Sequence, residues 1–174
     1  MSQEKQTTKS ERTEPTQGRP YMSADYGVEQ SKTDSAKMLS WQWLCEQMER
    51  SHNYWISTTQ PDGKPHAMPV WGIWLDEIFY FSTGRQSRKG RNLAANPEVV
   101  VHTESGDEVA IFEGTVEEFS DPTLFARFAQ VYATKYAGFK PEAEPGNAYY
   151  KLNPRVAFAW LEKDFVNSAT RWQF

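Results

Sequence analysis

The segment with the most chemical content runs from Ser82 to Asn92, Ser-Thr-Gly-Arg-Gln-Ser-Arg-Lys-Gly-Arg-Asn. It joins an apolar run rich in β-formers, Ile78 to Thr83, to a short helix-like stretch stopped by Pro97. Two hydroxyls at a strand end, a glycine turn and a helix opening at Ser87-Arg88-Lys89 are the parts of a phosphate site. A helix start presents unpaired N–H groups and partial positive charge. Arginine supplies a planar fork for phosphate oxygens and lysine a mobile point charge. A solvated basic helix face has the same composition, so composition alone leaves both readings open. The remaining candidates are weaker. His102, mid-strand among valines, reads as a satisfied core or interface histidine, with an axial haem ligand as the alternative. His66 reads as a turn residue, and Glu113 and Glu117, alternating with apolar residues, as a solvated face. Tyr149 and Tyr150 either cap a substrate opening or pack under a long loop. The sequence has no Ser-His-Asp order, no H-E-x-x-H and no Walker glycine pattern. No metal site is predicted.

Apolar spacing supplies the elements that would hold this segment. Met38, Trp41, Leu44 and Met48 recur at three and four residues and predict a helix from Ser35 to Arg50, capped by Asp34 or Ser35. Tyr54–Thr59 and His66–Leu75 predict a hairpin around Asp62-Gly63, and Ile78–Thr83 a third strand. Glu98–Thr103 and Glu108–Glu118 predict two more around Ser105-Gly106-Asp107. Asp121-Pro122 caps a helix running to Gly138, and Arg155–Lys163 makes the last strand after a proline-bearing loop. The expected fold is mainly β: a six-stranded antiparallel barrel with flanking helices. Trp71 and Trp74 fall on opposite faces of one strand. One ring can enter the barrel, and the simplest cover for the other is a second subunit.

The 174 residues carry a net charge of −4 and a mean hydropathy of −0.74, yet 14% are aromatic. The polarity is concentrated in residues 1–34, which contain no Trp, Phe, Leu or Ile and predict a disordered or loosely attached arm, or a strap over a partner subunit. Residues 35–174 form the predicted domain. Mild acidity argues against a protein that coats nucleic acid or anionic membrane. No stretch is apolar enough for a signal peptide or a membrane span. The single cysteine, Cys45, permits no internal disulfide and no cysteine-based metal cage. A cytoplasmic protein fits best.

The motifs and their order resemble the pyridoxamine 5'-phosphate oxidase-like family of flavin-binding split barrels. The resemblance rests on Gly63-Lys64-Pro65, then Pro69-Val70-Trp71, the hydroxyl pair Ser82-Thr83, the run Ser87-Arg-Lys-Gly-Arg-Asn-Leu-Ala-Ala-Asn-Pro97, the following β-hairpin, and the ending Thr170-Arg-Trp-Gln-Phe174. It covers residues 37 to 174. The resemblance implies a homodimeric split barrel with FMN at the subunit interface, acting as an oxidoreductase by hydride transfer at flavin N5. It implies that Ser82, Thr83, Arg88 and Lys89 hold the flavin phosphate. Ser87 joins the same cofactor-binding set, and Arg91 or Asn92 assists at the phosphate or ribityl chain. Met68, Pro69, Val70 and Trp71 would line the isoalloxazine ring, and Arg171 and Trp172 would reach it from the same or the other subunit. The T-R-W ending and the K-x-R-N-L run are similar to the branch that includes deazaflavin (F420)-dependent reductases. F420 carries an extra anionic tail, for which Arg85 and Lys64 are the candidate partners. A flavin or haem carrier without turnover is the other alternative. The family's oxidases of pyridoxamine phosphate end with an arginine-histidine motif. None stands near this C-terminus, which argues against vitamin B6 oxidation. No catalytic residue is assigned.

Overall fold

The computed structural model describes residues 15–29 and 37–174. The chain folds into an open antiparallel barrel. Strand β1 (Thr16–Gly18) precedes helix α1 (Trp41–Arg50), strands β2 (Tyr54–Thr59), β3 (Pro65–Val70), β4 (Gly72–Leu75) and β5 (Ile78–Gly84), and helix α2 (Arg88–Ala95). Strands β6 (Glu98–Thr103) and β7 (Glu108–Glu118), helix α3 (Pro122–Lys135), strand β8 (Asn147–Leu161), the short helix α4 (Phe165–Ser168) and strand β9 (Thr170–Gln173) follow. The hydrogen-bonded order is β1-β9-β8-β7-β6-β2-β3, with β5 also on β8 and β4 on β5. The long β8 is the spine: β7 runs along one edge, while β5 and β9 share the other. No ladder joins β3 to β4, so the sheet is split there.

Two apolar clusters fix this arrangement. Inside the barrel lie Tyr54, Ile56, Trp74, Phe79, Phe81 and Phe112, sealed by Leu44 and Met48 of α1 and Leu93 of α2. Outside it, Phe128 and Tyr132 of α3 and Tyr136 at its C-cap pack against Ile73 of β4 and Tyr80 of β5. Strand β5 is therefore buried on both faces, and its continuous apolar run replaces the alternation of a half-exposed strand.

The expected elements are present, with four differences. The first helix starts later than expected, at Trp41 under a Ser40 cap whose hydroxyl accepts the Trp43 N–H at 3.1 Å. The expected caps, Asp34 and Ser35, lie outside the described residues. The expected 66–75 strand is two strands, because the chain leaves β2 at Trp71 and crosses to β5. The Tyr136 hydroxyl holds that corner, accepting the Gly72 N–H at 2.9 Å and lying 2.7 Å from the Gly72 oxygen. The last expected strand begins earlier, at Asn147, and runs through Pro154. A register shift between Glu113 and Gly114 leaves Arg155 without a partner on β7, so the ladder is already irregular beside the proline, which has no N–H to give it. Gly114 is required at this bulge, where a side chain would run into the Asn153 carbonyl.

The fourth difference lies at the ends. The tail contains β9, and β1 pairs with it in the register Thr16↔Gln173, Gln17↔Trp172 and Gly18↔Arg171. The buried Arg19 guanidinium follows, donating to the Asn167 carbonyl at 2.5 Å and the Ala169 carbonyl at 3.1 Å. The described part of the predicted loose arm is thus fastened to the sheet. Main-chain pairing and one arginine do this, neither of which needs the apolar residues the segment lacks. The rest of the arm lies outside the described residues.

Candidate functional site

The basic run opens α2 as expected. Ser87 is the N-cap: its hydroxyl accepts the Gly90 N–H at 3.0 Å and lies 3.0 Å from the Thr83 hydroxyl at the end of β5. Gly90 lets the helix sit on that strand end, since a side chain there would run into the Gly84 and Arg85 carbonyls. The three cations of the run then diverge. Arg88 is exposed and donates to Gln60 Oε1 at 2.6 Å, above the β2–β3 turn. Arg91 is exposed and donates to the Gln86 carbonyl at 2.6 Å. Lys89 is only 6% exposed. Burial pushes its amine down from 10.5 to about 8, and no carboxylate offsets that cost among the described residues.

Asn92 is 2% exposed, with its amide donating to Thr58 Oγ1 at 2.9 Å. It is a positioning residue that locks α2 on β2, so its side chain does not reach outward to a ribityl chain.

Register places the β3 candidates. Ile56 faces Met68 and Tyr54 faces Val70 across the ladder, so Met68 and Val70 lie on the barrel side of the sheet. Pro69 pairs with Trp55 and lies on the other side. Met68 is 48% exposed, on an edge strand without a partner on its outer side among the described residues. As expected, one of the two rings enters the core and the other does not: Trp74 is the buried one. Trp71 finds part of its cover within the chain, stacking on Tyr136 at 4.6 Å between ring centres and 8° between planes.

The hydroxyl pair is divided. Thr83 pairs with Ala148 of the inner core and Ser82 with Tyr149 of the outer cluster, so their side chains leave opposite faces of β5. Ser82 therefore joins Val70 and Trp71 in a cleft of about 600 Å³ beneath the loop between α3 and β8. Tyr132, Phe139, Glu142 and Glu144 also line it. None of these was a candidate, although aromatics at 132, 136 and 139 are a visible signal. Tyr149 packs under the loop, as one reading had it: its hydroxyl donates to the Glu142 carbonyl at 2.6 Å. Tyr150 is buried in the barrel, stacked on Phe81.

The C-terminal pair is divided. Trp172 is 1% exposed and packs edge-on against Trp41 at 5.7 Å, leaving no ring face for a cofactor. Arg171 lies over the Tyr21 ring at 4.9 Å, and its buried Nε has no acceptor among the described residues. The cations suggested for an anionic tail are both paired. Arg85 forks onto Glu118 and donates to the Pro145 carbonyl, and Lys64 meets Asp62 at 2.8 Å. His102 sets its Nδ1 2.8 Å from the Thr103 carbonyl and stacks on Trp55. Among the described residues, no three His, Cys, Asp or Glu side chains converge as a metal would need. No described helix is long and apolar enough to cross a membrane.

Known proteins carry the same architecture. A conserved hypothetical protein from Mycobacterium tuberculosis superposes with a TM-score of 0.64 at 22% identity, over 71% of this chain and 86% of its own. An F420 reductase superposes at 0.52 and 24% identity, over 64% of this chain and 93% of its own. At such identities these matches speak to the fold alone. In sequence, a pyridoxine/pyridoxamine 5'-phosphate oxidase from Gluconobacter oxydans (strain 621H) is 39% identical over 77 residues, which is 42% of this chain. The matched stretch spans only 38% of that relative's length. The model of the family described as pyridoxamine 5'-phosphate oxidase matches residues 41–161. That match runs from the first residue of α1 to the last of β8, leaving out β1 before it and α4 and β9 after it, and on it the chain belongs to the pyridoxamine 5'-phosphate oxidase family.

Proposed function

We propose that this chain is an FMN-dependent oxidoreductase that seats the flavin phosphate at the start of α2 and the ring along β3. The observation that carries this reading is Lys89. A buried ammonium without a carboxylate is costly, and an anion is the natural partner it lacks. The Thr83 and Ser87 hydroxyls meet at the capped start of the helix that carries Lys89, and the exposed Arg88, now donating to Gln60, is the first residue after the cap. Met68 and Val70, on one face of the open edge strand β3, offer an apolar wall of the kind a flavin ring needs, with Trp71 just beyond its end. These residues fit the group. When bound, FMN supplies hydride transfer at its N5, to or from a small substrate. The chain's part is to hold, orient and keep dry. FMN is favoured over F420 because the two extra cations an anionic tail would want are already paired.

We also propose a homodimer with the cofactor at its interface, since β3 is an open edge carrying the exposed Met68 and Trp71. A single half-buried cysteine, its thiol pushed up to about 12, chiefly by burial, suits a cytoplasmic protein.

Purified protein should be yellow and bind added FMN with a shift in flavin absorbance. Arg88→Ala and Lys89→Ala should each weaken binding by about 1.5–3 kcal/mol, the scale of charge-assisted hydrogen bonds. A colourless protein that ignores added FMN sinks the reading. Reoxidation of the reduced protein no faster with candidate substrates than the reoxidation of free flavin would point to a carrier instead.

A further inference from the structure

The cleft beneath the α3–β8 loop has the opposite character to the start of α2. Rings form one part of its wall and mostly polar side chains the rest. Trp71 is 41% exposed with one face covered by Tyr136, and Phe139, 58% exposed, meets it edge-on at 5.9 Å. Its charges are chiefly negative. Glu142 and Glu144 line it, with Lys140 the one cationic lining residue. Neither carboxylate is in an ion pair among the described residues, and Arg85, which reaches the same loop, is held by Glu118. The two carboxylates act on the cleft: after burial, they are the groups that push the Tyr149 hydroxyl up.

The loop that carries them is pinned. Its Glu142 carbonyl takes the Tyr149 hydroxyl, its Pro145 carbonyl the Arg85 side chain at 3.1 Å and its Gly146 carbonyl the Arg85 N–H at 2.8 Å. The acidic rim is therefore part of the built cleft. A space of about 600 Å³ holds a small organic molecule.

We infer that this cleft is the substrate subsite and takes a flat heteroaromatic cation, stacked on Trp71 and neutralised by Glu142 and Glu144. The word substrate rests on the flavin reading; the ligand class rests on the cleft alone. Ring faces attract cations through their negative quadrupole, and the carboxylates add to that attraction. Aromatic carboxylates and phosphate esters meet two carboxylates against the single cation Lys140 there and are disfavoured.

Calorimetric titration of the full chain, with and without saturating FMN, tests this with N-methylquinolinium as the cation and quinoline-4-carboxylate as the anion. The cation should bind about tenfold more tightly than the anion, the scale of two partly exposed charge pairs. Glu142→Gln with Glu144→Gln, both at exposed positions, should erase that preference, and high salt should reduce it. Equal or tighter binding of the anion, or a preference that survives the double substitution, overturns the assignment. FMN titrated alone reads the cofactor separately. A chain that binds FMN but shows no cation preference overturns the ligand class only. One that shows the preference but binds no FMN overturns the flavin reading and, with it, the word substrate.

Discussion

Arg88 and Lys89 are neighbours of like charge, and the fold treats them oppositely. One is exposed on Gln60; the other is buried. An amine moved from 10.5 to about 8 has a definite effect on pH dependence. Between those values the unfolded chain binds more protons than the folded one, so stability rises with pH across that window. Lys135, also pushed down to about 8 by burial, adds the same sign. Flavin-free protein should therefore melt at a higher temperature near pH ~9.5 than near ~7.5, and the rise should shrink in Lys89→Met. FMN affinity should move the other way. It should fall above pH 8, by up to about tenfold per pH unit, because the ammonium proposed to meet the phosphate is being lost. Lys89→Met should flatten that slope in a fluorescence titration. At this scale the sequence was legible in charge and not in burial. The residues from Ser87 to Asn92 were recognisable as a polar, basic helix start. That Asn92 turns inward to Thr58 depends on a strand 34 residues away in the chain.

Helix α2 is held by short-range chemistry, and its local signals were readable for that reason. A serine cap, a glycine and a following Asn-Pro are all sequence features. Ser87→Ala removes the acceptor for the Gly90 N–H and the partner of Thr83, and should cost about 1 kcal/mol in urea unfolding. Gly90→Ala should cost more, because backbone carbonyls of Gly84 and Arg85 must move to admit it. The elements that sequence reasoning missed or cut short depend on distant partners. The 66–75 run looks continuous because its break at Trp71 comes from pairing first with β2 and then with β5. Pro154 signals a strand boundary, and only the bulge opposite Gly114 cancels that signal. Strands β1 and β9 are too short for a period-two pattern to stand out.

For the molecule as a whole, the aromatic excess foretold a packed barrel, and the ring contacts in and around the sheet account for it. Closure was less legible, since a sheet that stays open between β3 and β4 differs from a closed one only in pairings that local sequence does not encode. The open edge should make the protein dimeric in sedimentation equilibrium. Met68→Glu, which places an uncompensated charge on that edge, should weaken the dimer at least about tenfold and reduce FMN binding with it. A dimer untouched by this change would place the interface elsewhere. The pairing of β1 with β9 reaches further than stability. Arg19 and the carbonyls it holds are 148 and 150 positions apart in the chain. Loops of that length close slowly, and their contacts form late. During synthesis β1 must wait, unpaired, until its partner strand has been made, while the barrel from α1 to β8 can already collapse. The joining of the two ends then becomes a finishing step, and a truncation that removes β1 would spare the barrel's first assembly while leaving it unlatched.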